Sequence, residues 1–140
     1  MKTKLLSLPS KFSGTTHGVP YYYDEEFITN GKFAVPRSIV KDDFKYCVDS
    51  PIAKNPNIQR SFGTIEEKTK RFIKTNHILD LGNFYARMFE NPIDNETVYF
   101  QDQYIIHFGV IELFGKDESK PFICKNTGVI IMPCNTNTKK

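Results

Sequence analysis

The last third of the chain contains the stretch that decides the fold, VYFQDQYIIHFGVIELF at residues 98–114, which is followed by FICKNTGVIIM at residues 122–132. Both stretches are rich in β-branched and aromatic residues and show little helical periodicity, so we expect strands over 98–100, 104–114 and 122–132. Residues 104–114 are apolar at odd and even positions alike, which predicts a central strand covered on both faces. Turn residues at 126–128 split the last stretch into a tight hairpin. The C-terminal third is therefore predicted to be an antiparallel β-meander.

The middle of the chain carries patterns that are typical of two or three short helices. Apolar residues recur at i, i+4, i+7 and i+8 over residues 40–48, behind Ser38, which can act as an N-cap. Thr64 and Glu67 have the spacing of a capping box, which predicts the start of a second helix. Residues 77–90 have a broad apolar stripe that ends before a proline, as in a third helix. The expected fold class is thus α+β, with these helices ahead of the meander.

The chain is predicted to form one domain preceded by an arm. Glycine and proline punctuate residues 7–36 too often for a long helix or strand, so we expect residues 1–37 to be extended and looping. The arm also contains many aromatic and aliphatic residues, which must be covered by the body or by a partner. Residues 38–134 are then a single α+β domain, because 140 residues and 16.2 kDa suit one core. Residues 135–140 form a polar tail that is expected to fray.

Composition narrows the functional classes. An apolar share of 39% is sufficient for a packed core, and a net charge of +3 is too mild to predict nucleic-acid binding. Three cysteines at irregular spacing indicate free thiols in a reducing compartment, with Cys134 near the tail expected to be exposed and reactive. The first residues do not have the pattern of a signal peptide, and no apolar run reaches about 20 residues, so neither a secretion signal nor a membrane span is expected. We therefore expect an intracellular protein of the host cytoplasm or of a virion, with no membrane partner.

Chemical motifs give little support for an enzyme. The three histidines have no paired ligand spacing, so no metal is predicted, and the chain has no nucleophile elbow, phosphate loop or dinucleotide turn that would predict a cofactor. His77 and Asp80 stand one helical turn apart in the third predicted helix, where a carboxylate can orient an imidazole. With Arg87 and His107 they would line a pocket between helices and sheet. A small enzyme or ligand-binding protein is the alternative that this pattern leaves open.

A basic run offers a second alternative. Lys68, Lys70, Arg71 and Lys74 would contact phosphates if they projected from one face of the second predicted helix. Two glutamates open that helix and the cations close it, which the helix dipole favours without any ligand. Nucleic-acid binding is therefore the lesser alternative.

A tyrosine cluster in the arm carries the leading hypothesis. Tyr21, Tyr22 and Tyr23 stand beside three carboxylates and close to Phe27, and three adjacent rings on an extended chain cannot all point inward. Either alternate rings pack on the body, or the cluster contacts a partner, as exposed tyrosines commonly do. We expect a non-catalytic structural or accessory protein that docks on a larger assembly, with a protein partner or a second copy of the chain. A virion component, a phage-encoded inhibitor of a host protein, and an organelle or cytoskeletal subunit are its concrete forms.

Overall fold

The fold is a curled, mostly antiparallel β-sheet. A computed structural model of the protein describes residues 21–23, 26–40, 47–49, 69–116 and 119–134, with the side chains of 21–23 and 47–49 left out. Within these ranges the sheet has ten strands, joined by a 3-10 turn and one short helix. The elements are β1 (Tyr21–Tyr23), β2 (Phe27–Thr29), β3 (Phe33–Pro36), the 3-10 turn (Arg37–Ile39), β4 (Cys47–Asp49), β5 (Lys70–Asp80), β6 (Tyr85–Glu90), β7 (Thr97–Gln101), α1 (Asp102–His107), β8 (Glu112–Gly115), β9 (Phe122–Ile123) and β10 (Ile130–Ile131).

The expected α+β fold class was wrong, most plainly over residues 77–90. This stretch is a β-hairpin: the end of β5 pairs with β6 in antiparallel register, with Asp80 opposite Tyr85. The turn places Gly82 at φ +91°, a backbone conformation that favours glycine, and the Leu81 amide donates to the Phe84 carbonyl at 3.0 Å. The glycine that interrupts the apolar stripe therefore marks a turn between strands.

The two earlier helix patterns do not give helices in the described residues either. Ser38 lies in the 3-10 turn Arg37–Ile39, and Cys47 and Val48 lie in β4, while residues 41–46 of the first pattern fall outside the described residues. The capping box at Thr64 lies outside the described residues. The next described element along the chain is β5, a strand that pairs with β6 on one side and with β8 on the other.

The predicted central strand over residues 104–114 was also wrong, because it contains a helix and a strand in succession. Helix α1 buries Tyr104 and Ile105, and Phe108 is buried just after its end. Gly109 then turns the chain at φ +63°, and β8 begins at residue 112. Apolar residues therefore occur at both odd and even positions of 104–114 because one face of a helix is followed by a strand. The antiparallel meander itself exists, but it is formed by β8, β9 and β10.

The sheet curls around one aromatic core. Its order is β4-β1-β2-β3-β10-β9-β8-β5-β6-β7, and among the described strands β1 and β4 are the one parallel pair. The amide of Cys134, three residues after β10, donates to the Tyr99 carbonyl of β7 at 2.7 Å, which brings the last strand in the order back beside the β10 segment. Inside, ring centroids stand about 5 Å apart in edge-to-face contacts between Phe89 and Phe100, between Phe100 and Phe122, and between Phe33 and Tyr104.

The predicted N-terminal arm contributes to this core where it is described. Strands β2 and β3 form an antiparallel hairpin, and Phe33, Ala34 and Val35 are fully buried. Strand β3 also pairs with β10, so the hairpin is an integral part of the sheet. The aromatic residues at positions 26–37 are thus at least partly covered by the body of the same chain.

Candidate functional site

A cleft of about 370 Å³ lies between the β5–β6 turn and helix α1. The wall formed by the β5–β6 turn lies beyond residues 70–73, the part of β5 that pairs with β8. The cleft combines carboxylate, amide and aromatic side chains. Its lining residues are Asp80, Gly82, Asn83, Phe84, Tyr85, Asp102, Gln103 and Ile106.

Local backbone chemistry holds the turn that forms one wall. The Asp80 carboxylate accepts a hydrogen bond from the Gly82 amide at 2.9 Å, an Asx turn that favours the left-handed conformation of the glycine. Tyr85 begins β6 directly after the turn, and 59% of its surface is exposed. The turn therefore presents a tyrosine ring to the cleft.

A largely buried ion pair fixes the second wall. Arg87 on β6 donates to both carboxylate oxygens of Asp102, the first residue of α1, at 2.8 and 3.2 Å. A third bond runs from the guanidinium to the Thr75 carbonyl at 3.1 Å. The side chains of Arg87 and Asp102 are only 12% and 10% exposed. This pair ties the helix to β6 and so sets the width of the cleft.

The cleft has an excess of negative charge. None of the described residues that line it is cationic. Arg87, behind the lining, compensates Asp102, whereas Asp80 has no cationic partner within the described ranges and accepts only the Gly82 amide. One uncompensated carboxylate therefore stands at the edge of a partly apolar surface.

Two of the five large apolar side chains that are exposed among the described residues line this cleft. Tyr85 and Ile106 line it at 59% and 64% exposure, and Ile78 lies two residues before Asp80 on the same hairpin at 42%. Scattered exposed apolar residues are ordinary in soluble proteins, but a group beside one concave site is typical of a binding surface.

The four residues predicted for an acid/base pocket do not meet. Asp80 lines the cleft, but Arg87 lies behind it in the ion pair with Asp102. His77 is exposed on β5, with its ring centroid 6.1 Å from that of Tyr99. His107 ends α1 and packs edge-to-face on Phe108 at 5.1 Å.

Sequence reasoning missed Asp102, the residue that pairs with Arg87. The available signal was an acidic residue at the first position of a short helix, where the helix dipole favours negative charge. Assignment of residues 104–114 to a strand hid that signal. The partner of Arg87 could not then be chosen among the sixteen acidic residues of the chain.

The three described residues of the predicted basic run lie on strand β5, and two of them form ion pairs. Lys70 contacts Asp94 at 2.9 Å and Glu96 at 3.3 Å, and Arg71 forms an ion pair with Glu112. The hydrogen bonds that Lys70 donates to Asp94 and Glu96 raise the pKa of Lys70. Strand alternation sends Lys70 and Arg71 to opposite faces. Lys74 lies further along β5 and is partly buried, and Lys68 lies outside the described residues.

The tyrosine cluster is placed only through its backbone. Tyr21, Tyr22 and Tyr23 form β1, which pairs with β2 and β4, and their side chains lie outside the described part of the chain. Phe27 on β2 is partly buried and packs beside Ala34 and Ile130. A partner surface at the three tyrosines therefore stays a prediction.

Cys134 is partly buried, in contrast to the reactive thiol expected near the tail. Burial raises the pKa of the Cys134 thiol to about 12, against an opposing effect of Lys32. Because the thiolate is the nucleophile, we expect iodoacetamide at about pH 8 to alkylate Cys134 at least about 100-fold more slowly in the folded chain than in urea. Mass spectrometry of the peptide that contains Cys134 measures both rates. Equal rates would contradict a partly buried thiol that stays protonated at this pH.

Comparisons with protein-family models, with curated proteins and with solved structures find no match for this chain. Among the described residues, no helix has the length and apolarity needed to cross a membrane. In the same ranges no three histidine, cysteine, aspartate or glutamate side chains are grouped closely enough to hold a metal ion. Function must therefore be inferred from the geometry of the cleft.

Proposed function

We propose that the protein is a non-catalytic docking protein, which binds a protein partner at the cleft between the β5–β6 turn and α1. The observation that carries this proposal is the exposure of Tyr85 and Ile106 at one concave site, with Phe84 beside them. Aromatic and aliphatic side chains that are exposed in the free protein contribute most to the free energy of binding when a partner covers them and excludes water.

The construction of the cleft supports recognition by a preformed surface. Its two walls are joined by the Arg87–Asp102 pair and by the β6–β7 ladder that leads into α1. A preformed site loses little conformational entropy on binding, so more of the contact energy appears as affinity. A cleft of about 370 Å³ also lies within the size range of binding pockets in proteins.

A capture experiment with matched variants tests this function. The full chain, the double variant Tyr85→Ser with Ile106→Ser, and the control Ile93→Ser are immobilised and exposed to extract of the native source. Ile93 is 91% exposed and lies in the turn between β6 and β7, away from the cleft lining. We expect the wild type and the control to retain the same protein, and the double variant to retain at least about tenfold less, because each central interface side chain is commonly worth more than 1 kcal/mol.

The double variant must first show the far-ultraviolet circular dichroism and the urea midpoint of the wild type. Equal retention by all three folded proteins would overturn the proposal. If the retained protein is a second copy of the chain, sedimentation of the purified protein will show a dimer that the double variant lacks.

A further inference from the structure

We infer that the occupant of the cleft is a lysine or arginine side chain of a partner segment, flanked by apolar residues. This inference rests on the proposed docking function and specifies the chemistry of its partner. It depends on charge complementarity between the cleft and its occupant, at the carboxylate of Asp80.

The cleft has two carboxylates in its lining, and only Asp80 is left to attract a cation, because Arg87 pairs with Asp102. Both oxygens of Asp102 already accept hydrogen bonds from Arg87, so this residue offers little net charge. Asp80 accepts one bond, from the Gly82 amide to Oδ1, and has no cationic partner in the described part of the chain. An ammonium or guanidinium group at Asp80 would supply that counter-charge.

The apolar part of the lining suits the rest of such a side chain. Lysine and arginine carry three or four methylene groups that pack on apolar surface while the charged head stays at the polar edge. Phe84, Tyr85 and Ile106 provide that surface, and the face of an aromatic ring also attracts cations. An anionic side chain would meet Asp80 with like charge and no compensating cation in the lining.

The net charge of the protein is positive, so attraction of a cationic side chain must come from the cleft itself. The chain has a net charge of +3, so a cationic peptide is not drawn to the protein by its overall field. Preference for a cationic peptide would have to arise at a particular negative site. Added salt should then weaken the preference for lysine without removing the apolar contribution to binding.

Three five-residue peptides test the inference by NMR titration of the folded chain. The peptides are Ac-Ala-Leu-X-Leu-Ala-NH2, with lysine, norleucine or glutamate at X, so that the first two share a stem of similar length and differ in charge. We expect shifts confined to residues 80–85 and 102–106, with the lysine peptide binding about threefold more tightly than the norleucine peptide, as for one exposed ion pair. The glutamate peptide should bind most weakly.

Variants assign the preference to one carboxylate. Asp80→Asn should remove the preference for lysine, so that this variant binds the lysine and norleucine peptides with equal affinity. Asp94→Asn is the control, because Asp94 is also an exposed aspartate but contacts Lys70, which keeps Glu96 as a partner. This control should retain the preference for lysine.

The outcomes separate the inference from the function on which it rests. Equal affinities for lysine and norleucine, shifts outside the cleft, or no binding of any peptide would overturn the cationic occupant. The docking function would still stand if the capture of a partner depended on Tyr85 and Ile106. If that capture did not depend on them, the docking function itself would fall.

Discussion

Substitution of Asp102 by asparagine is expected to lower the free energy of unfolding by about 3 kcal/mol, because it leaves the largely buried Arg87 guanidinium without an anion. The new side chain has nearly the same size, so the loss reports the charge and its hydrogen bonds. Urea unfolding followed by circular dichroism measures the change. Because the ion pair joins β6 to α1, the NMR shifts caused by the substitution should be largest around the cleft.

An exposed aspartate provides the matched control. Asp94 contacts Lys70 at a solvated site, so Asp94→Asn should leave the urea midpoint within experimental error of the wild type. The double variant Arg87→Met with Asp102→Leu should be more stable than Asp102→Asn alone, because it leaves no buried charge unpaired. If Asp102→Asn and Asp94→Asn shifted the midpoint equally, the pair would not be the structural link between β6 and α1.

The sequence predicted one part of the sheet and misjudged the rest for a physical reason. In residues 77–90 the apolar spacing suits a helix, but the chain is a hairpin because Gly82 adopts φ +91° and the two halves pair. Periodicity shows only which positions are apolar. The apolar positions of a hairpin can have nearly the same spacing as those of a helix. The register shift between Lys74 and Ile78 lies at the start of this stretch and interrupts the alternation along β5.

A similar ambiguity hid helix α1. Residues 104, 105 and 108 are buried on one side of α1 and its end, and residue 113 is buried on β8, so the apolar pattern changes period within eleven residues. Gly109 marks the point of change, and its φ of +63° could have been anticipated from the glycine. Short runs of apolar residues fit either period, and only their tertiary partners decide between them.

The cleft could be predicted from sequence only in part. Asp80 was predicted as a site residue because it would lie one helical turn from His77. Both residues lie on strand β5, where that spacing does not bring their side chains together. Tyr85 was assigned to the buried stripe of a helix, whereas it is exposed at the start of β6. The contact between Arg87 and Asp102 joins residues fifteen positions apart across a strand and a helix. Such a contact follows from topology, which local patterns do not contain.

Substitution of Gly115 by alanine is the second change with a large expected effect. A Cβ atom at this position on β8 would lie closer than 3.0 Å to three carbon atoms of the Phe122 ring. The ring has no room to move away, because it is fully buried and packs edge-to-face on Phe72 at 5.4 Å and on Phe100 at 5.1 Å. We expect the free energy of unfolding to fall by about 2 to 3 kcal/mol, as for other overpacked cores, measured by urea unfolding.

Two further variants separate overlap with the ring from other effects of the added methyl group. Gly109→Ala is the control, since its Cβ would meet nothing within 4 Å and would cost only the strain of φ +63°, about 1 kcal/mol. Phe122→Leu provides the double-mutant cycle, because a smaller side chain makes room for the methyl group. Gly115→Ala should therefore cost clearly less in the Phe122→Leu background than in the wild type. If Gly115→Ala lowered the free energy of unfolding equally in both backgrounds, overlap with the Phe122 ring would not be the reason for glycine at residue 115.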